Sequence, residues 1–298
     1  MQTDQTIEDM IERHVPPLMN VIHSQIESAS CPESIKEAML YSLNAGGKRI
    51  RPLLLIMAAQ SYKPVTSSAY KLGAALEMIH TYSLIHDDLP SMDNDDYRRG
   101  KPTNHRVYGE ALAILAGDAL LTESFQLVSD ISEDDMHPRD IVHITRRMSE
   151  SAGIRGMVGG QVADIEGEDR TLRLEELEWI HRHKTGALLE FAVEAGGILG
   201  GAPEGDIAAL KIYAENLGLA FQIKDDILDV EGDAEIIGKP VGSDTDNQKS
   251  TYPSLLTLSE AKNKLDAHIQ TAADALRTVS CDASALLSIL QYVAKRDR

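Results

Sequence analysis

The sequence is poor in cysteine, in aromatic residues and in positive charge. Only two cysteines, Cys31 and Cys281, occur among its 298 residues, so it offers neither a disulfide framework nor a zinc site built on cysteine pairs. The formal net charge of −18 argues against a nucleic-acid partner and against a surface for anionic membranes. Because the chain is acidic overall, each local group of arginine and lysine residues is informative.

Long hydrophobic runs are also missing. The N-terminal segment MQTDQTIEDMIERH lacks the basic start and apolar stretch of a secretory signal peptide. No segment approaches the roughly eighteen uninterrupted apolar residues of a transmembrane helix. We therefore expect a cytoplasmic protein without membrane insertion.

The sequence predicts helices throughout. Aromatic residues make up only 4% of the chain, strands with alternating polarity are missing, and apolar residues recur at three- and four-residue spacing. This spacing predicts helices over residues 4–28, 32–44, 52–60, 67–88, 107–129, 138–152, 174–199, 204–230, 253–278 and 282–296. No change in composition marks a domain boundary, and we predict one all-α domain over residues 1–298, a large helical bundle.

A first acidic motif, IHDDLPSMDNDD, occupies residues 85–96. Asp87 and Asp93 are six positions apart and would not share a face of a straight helix. Pro90 disfavours helical conformation at the residue before it, so the helix should end near Leu89 and a turn could carry Asp93 back toward Asp87. A short acidic run on its own is more often a solvated loop.

A second acidic motif, LAFQIKDDILDVEGD, occupies residues 219–233. Asp225 and Asp229 are four positions apart and share one helix face, where like charges repel each other. A cation between them would turn this repulsion into attraction. Two such motifs at the ends of helices, facing each other across a bundle, predict a site for hard divalent cations, and ligands that are all oxygen favour Mg²⁺.

Basic residues gather in four segments: GGKRIRP (46–52), RRGK (98–101), HRHKTG (181–186) and GKPVGSD (238–244). None is a phosphate-binding loop of the type G-x-x-x-x-G-K-[S/T], and no G-x-G-x-x-G follows a strand. The first segment alone could be a helix C-cap, and the third could be an exposed helix face. Together with the acidic motifs they predict a pocket for substrates rich in diphosphate, bound by arginine and lysine side chains.

Five segments in combination resemble the trans-isoprenyl diphosphate synthases, and more narrowly the bacterial farnesyl diphosphate synthases. They are SLNAGGKRIRP (42–52), EMIHTYSLIHDDLPSMDNDDYRRGKPTNH (77–105), GQVADIEGE (160–168), HRHKTGALLE (181–190) and GLAFQIKDDILDVEG (218–232). The resemblance implies an all-helical fold around a deep central cavity, usually in a homodimer. It also implies condensation of isopentenyl diphosphate with the allylic substrates dimethylallyl diphosphate and then geranyl diphosphate.

The resemblance further implies roles for particular residues. Magnesium ions on the allylic diphosphate, three of them with substrate bound, would be held by Asp87, Asp93 and Asp225. The remaining motif acids, as additional ligands or as supports behind them, are Asp88, Asp226 and Asp229. The same diphosphate would contact Arg98, Lys184 and Lys239. The diphosphate of isopentenyl diphosphate would be held by Lys48, Arg51, His80 and Arg99. Thr185 and Gln222 would lie beside the reacting carbons. Together with Lys184 they would form the catalytic set.

Tyr82 bears on the length of the product. It lies five residues before Asp87, about 7.5 Å along the helix axis, and its ring leans toward the helix N-terminus. Family members with longer products tend to carry smaller residues here, so Tyr82 could close the cavity floor after fifteen carbons. The alternative is an ordinary buried tyrosine with a bonded hydroxyl.

The sequence is also compatible with other functions. A geranylgeranyl diphosphate synthase would differ mainly around Tyr82, and a non-enzymatic subunit would be expected to lack one of the motifs. The C-terminal segment KRDR (295–298) could help to close the site over diphosphate or could be an exposed basic end.

Overall fold

The computed structural model describes residues 6–168, 170–231 and 250–296. Its helices are α1 (Ile7–Ser28), α2 (Glu33–Leu43), α3 (Ile50–Gln60), α4 (Ser67–Asp87), α5 (Asn104–Tyr108), α6 (Glu110–Ser129), α7 (Pro138–Ala152), α8 (Met157–Gly167), α9 (Leu174–His181), α10 (Ala187–Gly200), α11 (Glu204–Glu231), α12 (Tyr252–Leu255), α13 (Leu258–Leu276) and α14 (Ser284–Lys295). A π-helical turn, Arg182–Gly186, joins α9 to α10. The prediction of an all-α fold is confirmed.

Three predicted helices are interrupted. Gly109, with φ +83°, separates α5 from α6 in a conformation that suits glycine. The predicted helix 174–199 contains the π-helical turn, and the predicted helix 253–278 breaks after Leu255. There Thr257 caps α13: its hydroxyl accepts from the Glu260 N–H at 3.2 Å, and the Glu260 carboxylate accepts from the Thr257 N–H at 2.8 Å. This reciprocal pair satisfies two amides that helix geometry leaves without partners.

Two elements were not predicted. Helix α8 has the glycine-rich start MVGGQ, whose low helix propensity hides it from sequence analysis. A two-stranded antiparallel hairpin, β1 (Tyr97–Arg98) with β2 (Lys101–Pro102), is too short for an alternating pattern. Its turn residues Arg99 and Gly100 have φ values of +53° and +75°, the positive φ at both central positions that a type I′ turn requires.

The chain groups into two compact units. The N-terminal unit comprises residues Glu8–Ile56 and Val65–Thr145, and the C-terminal unit comprises residues Met57–Pro64 and Arg146–Arg298 with the first seven residues. The predicted single domain over residues 1–298 stays a prediction.

The N-terminal unit is built around α4, which packs against α2 and α6. Apolar side chains on several faces of α4 are buried, among them Leu72, Leu76 and Ile79. A helix that is apolar on most faces is stable only when other helices surround it. Burial of each such leucine or isoleucine stabilises the fold by about 1.5–3 kcal/mol, so α4 is a rigid support for the residues at its C-terminal end.

The C-terminal unit is built around α11, which contacts α9, α10, α12, α13, α14 and the π-helical turn. Ile223 and Ile227 on α11 pack with Leu177 and Ile180 on α9 and with Tyr252 on α12. This apolar cluster fixes the second acidic motif relative to the π-helical turn.

Helix α6 is the one helix of the described residues that is long and apolar enough to cross a membrane. Core helices of water-soluble proteins have the same length and composition, and Ala116, Leu120 and Leu127 of α6 are buried. The absence of membrane insertion therefore stays a prediction.

Candidate active site

The first acidic motif forms a tight turn at the end of α4. The helix ends at Asp87, and the backbone N–H of Asp93 donates to the carbonyl oxygen of Asp87 at 2.9 Å. Asn94 follows with φ +53°, a left-handed conformation that asparagine tolerates. The predicted return of Asp93 toward Asp87 is present, with Asp87 half-buried and Asp93 exposed.

Asp88 binds Arg98 of the hairpin. Nε of Arg98 donates to both carboxylate oxygens of Asp88, at 2.7 and 3.0 Å, and Nη2 lies 2.6 Å from Oδ1. Asp88 is only 3% exposed, and burial raises the pKa of its carboxyl group against the opposing effect of Arg98. A guanidinium held at several points has little freedom to rotate. Asp88 therefore orients Arg98, and its role beside the metal ligands stays a prediction.

Three of the four residues expected to hold isopentenyl diphosphate gather around residues 44–49, called here the basic loop. Nη1 of Arg51 lies 3.3 Å from Nε2 of His80, and Nη1 of Arg99 donates to the carbonyl oxygen of Gly46. A Cβ atom at Gly47 would lie 2.6 Å from that guanidinium, so the missing side chain at Gly47 leaves the space that Arg99 occupies. The fourth residue, Lys48, lies on the loop itself.

The electrostatics of this group favour an anion. Burial, followed by the charges of Arg51 and Arg99, lowers the pKa of His80 well below its ordinary value, so the ring is neutral at pH 7. Burial also lowers the pKa of Arg51 to about 10 and lowers that of Arg99. Like charges held this close repel each other, and an anion bound between them would reduce that repulsion.

The second acidic motif lies on the C-terminal half of α11. Asp226 is 7% exposed, and its Oδ2 accepts from the backbone N–H of Tyr252 at 2.8 Å, so it anchors the start of α12. Asp225 accepts from Nη2 of Arg296 at 2.7 Å. Asp229 lies one helical turn beyond Asp225 and is half-buried.

Arg296 links the C-terminus to α11. Its guanidinium stacks 3.8 Å over the ring of Phe221 and donates to the carbonyl oxygen of that residue at 2.8 Å. The side chain of Arg296 is therefore buried against α11, whereas Lys295 is exposed, and both alternatives for KRDR stay predictions. Residues 297–298 lie outside the described residues, as does Lys239.

Lys184 and Thr185 occupy the π-helical turn, a conformation that often marks functional sites. Nζ of Lys184 lies 2.6 Å from Oδ2 of Asp164 on α8, and Gly160 on α8 lies against the backbone of Lys184. A cavity of about 180 Å³ is lined by Lys184, Thr185 and Gln222 together with Asp164 and Asp226. The three residues predicted to act in catalysis thus share one cavity.

Sequence analysis missed two charged pairs that support these residues. Asp164 holds Lys184, and the only signal for it was the segment GQVADIEGE, which carried no assigned role. The other pair is Arg49 with Glu77, which are 2.9 Å apart and buried in the N-terminal unit. The sequence signal for this second pair was Glu77 itself, an acidic residue within the largely apolar helix α4.

The donor set at the acidic motifs fits magnesium. Within the described residues no three histidine, cysteine, aspartate or glutamate side chains converge as metal ligands. Mg²⁺, however, usually keeps several waters and takes one or two carboxylates plus phosphate oxygens. The half-buried Asp87 and the exposed Asp93 offer such carboxylates, so the residues present suit an ion that arrives with a phosphate group.

An all-α fold with two aspartate-rich motifs and grouped arginine, lysine and histidine side chains is typical of enzymes that act on diphosphates. The chain belongs to the polyprenyl synthetase family, which matches residues 32–283. It is 52% identical to a farnesyl diphosphate synthase of Geobacillus stearothermophilus over 98% of each chain. It is 45% identical to a geranylgeranyl diphosphate synthase of Cyanophora paradoxa over 89% of each chain. Among solved structures, an FPP/GFPP synthase from Zymomonas mobilis is 35% identical with a TM-score of 0.85, over 97% of this chain and 98% of that one.

Proposed function

We propose that this protein is a prenyltransferase that condenses isopentenyl diphosphate with dimethylallyl diphosphate and then with geranyl diphosphate to give farnesyl diphosphate. The observation that carries the proposal is the pairing, within one unit, of two elements. One is the carboxylate turn of Asp87 and Asp93. The other is the cationic group, made of Arg51 and Arg99 together with the neutral ring of His80. The first suits a metal-bound diphosphate and the second suits a diphosphate bound by side chains alone.

In this reaction the allylic C–O bond breaks and its electron pair leaves with the diphosphate. The π electrons of isopentenyl diphosphate form the new C–C bond, and a proton is lost from the neighbouring carbon to the departed diphosphate. The leaving group gains negative charge, so fixed cations aimed at it lower the barrier. Arg98, held by Asp88, and Lys184, held by Asp164, are such cations. Lys239 is assigned the same role by resemblance and lies outside the described residues.

Magnesium ions, when bound, add positive charge at the oxygens of that diphosphate. The residues that would hold them are Asp87, Asp93 and Asp225, and we retain three ions as the expected number. Asp229 is an additional candidate ligand.

The cavity beside the π-helical turn would shelter the carbocation. Thr185 and Gln222 line it, and the partial negative charge on their hydroxyl and amide oxygens can stabilise a nearby positive charge. Exclusion of water allows the isopentenyl double bond to capture the cation first.

Tyr82 would set the product length. Its side chain is buried on α4 at 6% exposure, and its ring lies 5.7 Å from that of His86 in an edge-to-face arrangement. His86 in turn donates to the carbonyl oxygen of Ile114 at 3.1 Å. A ring supported in this way would form the floor for a fifteen-carbon chain.

We further propose that the enzyme is a cytoplasmic homodimer. Ile114 and Leu115 on α6 are 43% and 55% exposed, and a neighbouring apolar surface on a second copy would cover them. Sedimentation analysis should give twice the chain mass, and Leu115→Glu should give a monomer.

The direct test is incubation of the purified protein with isopentenyl diphosphate, dimethylallyl diphosphate and Mg²⁺, followed by measurement of product length. We expect a fifteen-carbon product. A twenty-carbon product would keep the reaction and remove Tyr82 as the floor, whereas no product with any allylic primer would refute the proposal. Asp93→Asn should lower kcat by about 100-fold, while Asp134→Asn, an exposed acid elsewhere in the same unit, should not.

A further inference from the structure

Glu77 is a buried acid at the centre of the cationic group in the N-terminal unit. It lies on α4 and is 2% exposed, and its partner Arg49 is 7% exposed. Nη1 of Arg49 donates to Oε1 of Glu77 at 2.9 Å. Burial raises the pKa of Glu77, and the charges of Arg49, Arg51 and Arg99 oppose this effect. A buried carboxylate is tolerated only when cations and hydrogen bonds compensate for lost hydration.

The side chain of Arg49 links the basic loop to the end of α2 through backbone hydrogen bonds. Nη1 also donates to the carbonyl oxygen of Gly46 at 2.7 Å, and Nη2 donates to the carbonyl oxygen of Leu43 at the end of α2. The backbone of Arg49 itself has φ +54°, a conformation that costs a non-glycine residue free energy. These bonds compensate for that cost and leave Arg49 turned toward Glu77.

The residues tied by this pair are those assigned to isopentenyl diphosphate. Lys48 precedes Arg49 in the loop, and Arg51 follows it at the start of α3. Arg99 donates to the same carbonyl of Gly46 that Arg49 binds. Glu77 also lies three residues before His80 on the same face of α4. The buried pair therefore lies among the four side chains assigned to that diphosphate, and it shares the Gly46 carbonyl oxygen with Arg99.

We propose that Glu77 and Arg49 are positioning residues for the diphosphate of isopentenyl diphosphate. The pair holds the basic loop in its binding conformation, and the carboxylate of Glu77 relieves the repulsion among the arginines while no substrate is bound. This inference rests on the proposed function, since it takes Lys48, Arg51, His80 and Arg99 as ligands of that diphosphate.

The test compares Glu77→Gln with Glu194→Gln. Glu194 is an equally buried acid, 5% exposed, that pairs with Arg147 at 2.9 Å in the C-terminal unit. Both variants should lower the melting temperature. Only Glu77→Gln should raise KM for isopentenyl diphosphate, by about ten-fold or more, with KM for geranyl diphosphate changed less than about two-fold. Calorimetric titration with isopentenyl diphosphate alone should show the same loss of affinity.

Two further variants keep the result interpretable. Arg49→Lys preserves the charge beside Glu77 and so the fold, but cannot span both carbonyl oxygens, and should raise KM for isopentenyl diphosphate several-fold. Arg51→Met tests the proposed ligand set itself, and normal affinity in that variant would refute the assignment of the diphosphate.

Weak binding in Arg51→Met with unchanged affinity in both Glu77→Gln and Arg49→Lys would overturn the positioning role alone. Equal losses in Glu77→Gln and Glu194→Gln would also overturn it, because the effect would then follow from general destabilisation. Tighter binding of isopentenyl diphosphate in Glu77→Gln would also overturn the positioning role, because the lost negative charge would then matter more than the order of the basic loop.

Discussion

Gly160 is a position at which one added carbon atom should displace residues of the candidate active site. A Cβ atom there would lie 2.2 Å from the backbone nitrogen and 2.7 Å from the Cα of Lys184. The first distance is 1.2 Å short of the 3.4 Å at which ordinary contact begins. Because the obstacle is backbone, no rotation of a side chain can relieve the clash in Gly160→Ala. Helix α8 and the π-helical turn would have to separate by about 1 Å.

Two consequences follow from that separation. Overpacking of a well-packed interior costs about 1–3 kcal/mol of the free energy of unfolding. The shift also displaces Lys184 and Thr185 from the cavity that they share with Gln222, and a misplacement of about 1 Å can cost about 100-fold in rate. The loss should fall on kcat, since the displaced groups act on the departing diphosphate and on the carbocation.

Urea unfolding and steady-state kinetics of Gly160→Ala measure the two effects separately. The control is Gly205→Ala in the first turn of α11, where a Cβ atom would have nothing within 4 Å. That variant should keep its kcat and be as stable as the parent or more stable by about 0.4–1 kcal/mol. If Gly160→Ala kept both its kcat and its unfolding midpoint, the close packing of α8 against the π-helical turn would not be needed for stability or for catalysis.

Three other outcomes are expected. Tyr82→Ala should shift the main product, measured by chromatography, from fifteen to twenty carbons. An unchanged length would show that Tyr82 does not limit the product. Arg98→Lys should lower kcat by about ten-fold or more because lysine cannot reproduce the three contacts with Asp88; an equal rate would show that the fork geometry is unimportant. Burial lowers the pKa of His181 from 6.5 to about 4, so the unfolded chain binds that proton first as pH falls. The free energy of unfolding should therefore drop by up to about 3 kcal/mol as the pH falls from 6.5 to 4. Urea unfolding of His181→Asn at several pH values should show a smaller drop over the same range.

Features that depend on neighbouring residues could be predicted from the sequence alone. Helix α7 begins and ends where the spacing of its apolar residues places it. Pro90 restricts the residue before it, so α4 ends near the predicted position and the chain turns back at Asp93. The residue types of the two acidic motifs and of the basic segments were enough to indicate magnesium and diphosphate.

Tertiary structure decided which partner each of these residues has. Asp88 orients Arg98 across a hairpin, Asp164 holds Lys184 from a helix that low propensity conceals, and Glu77 reaches Arg49 from 28 positions away. The restriction before a proline and the spacing of a helix face act within a few residues, so the neighbouring sequence determines them. A buried ion pair depends on how whole helices pack, and that arrangement results from the burial of many apolar side chains at once.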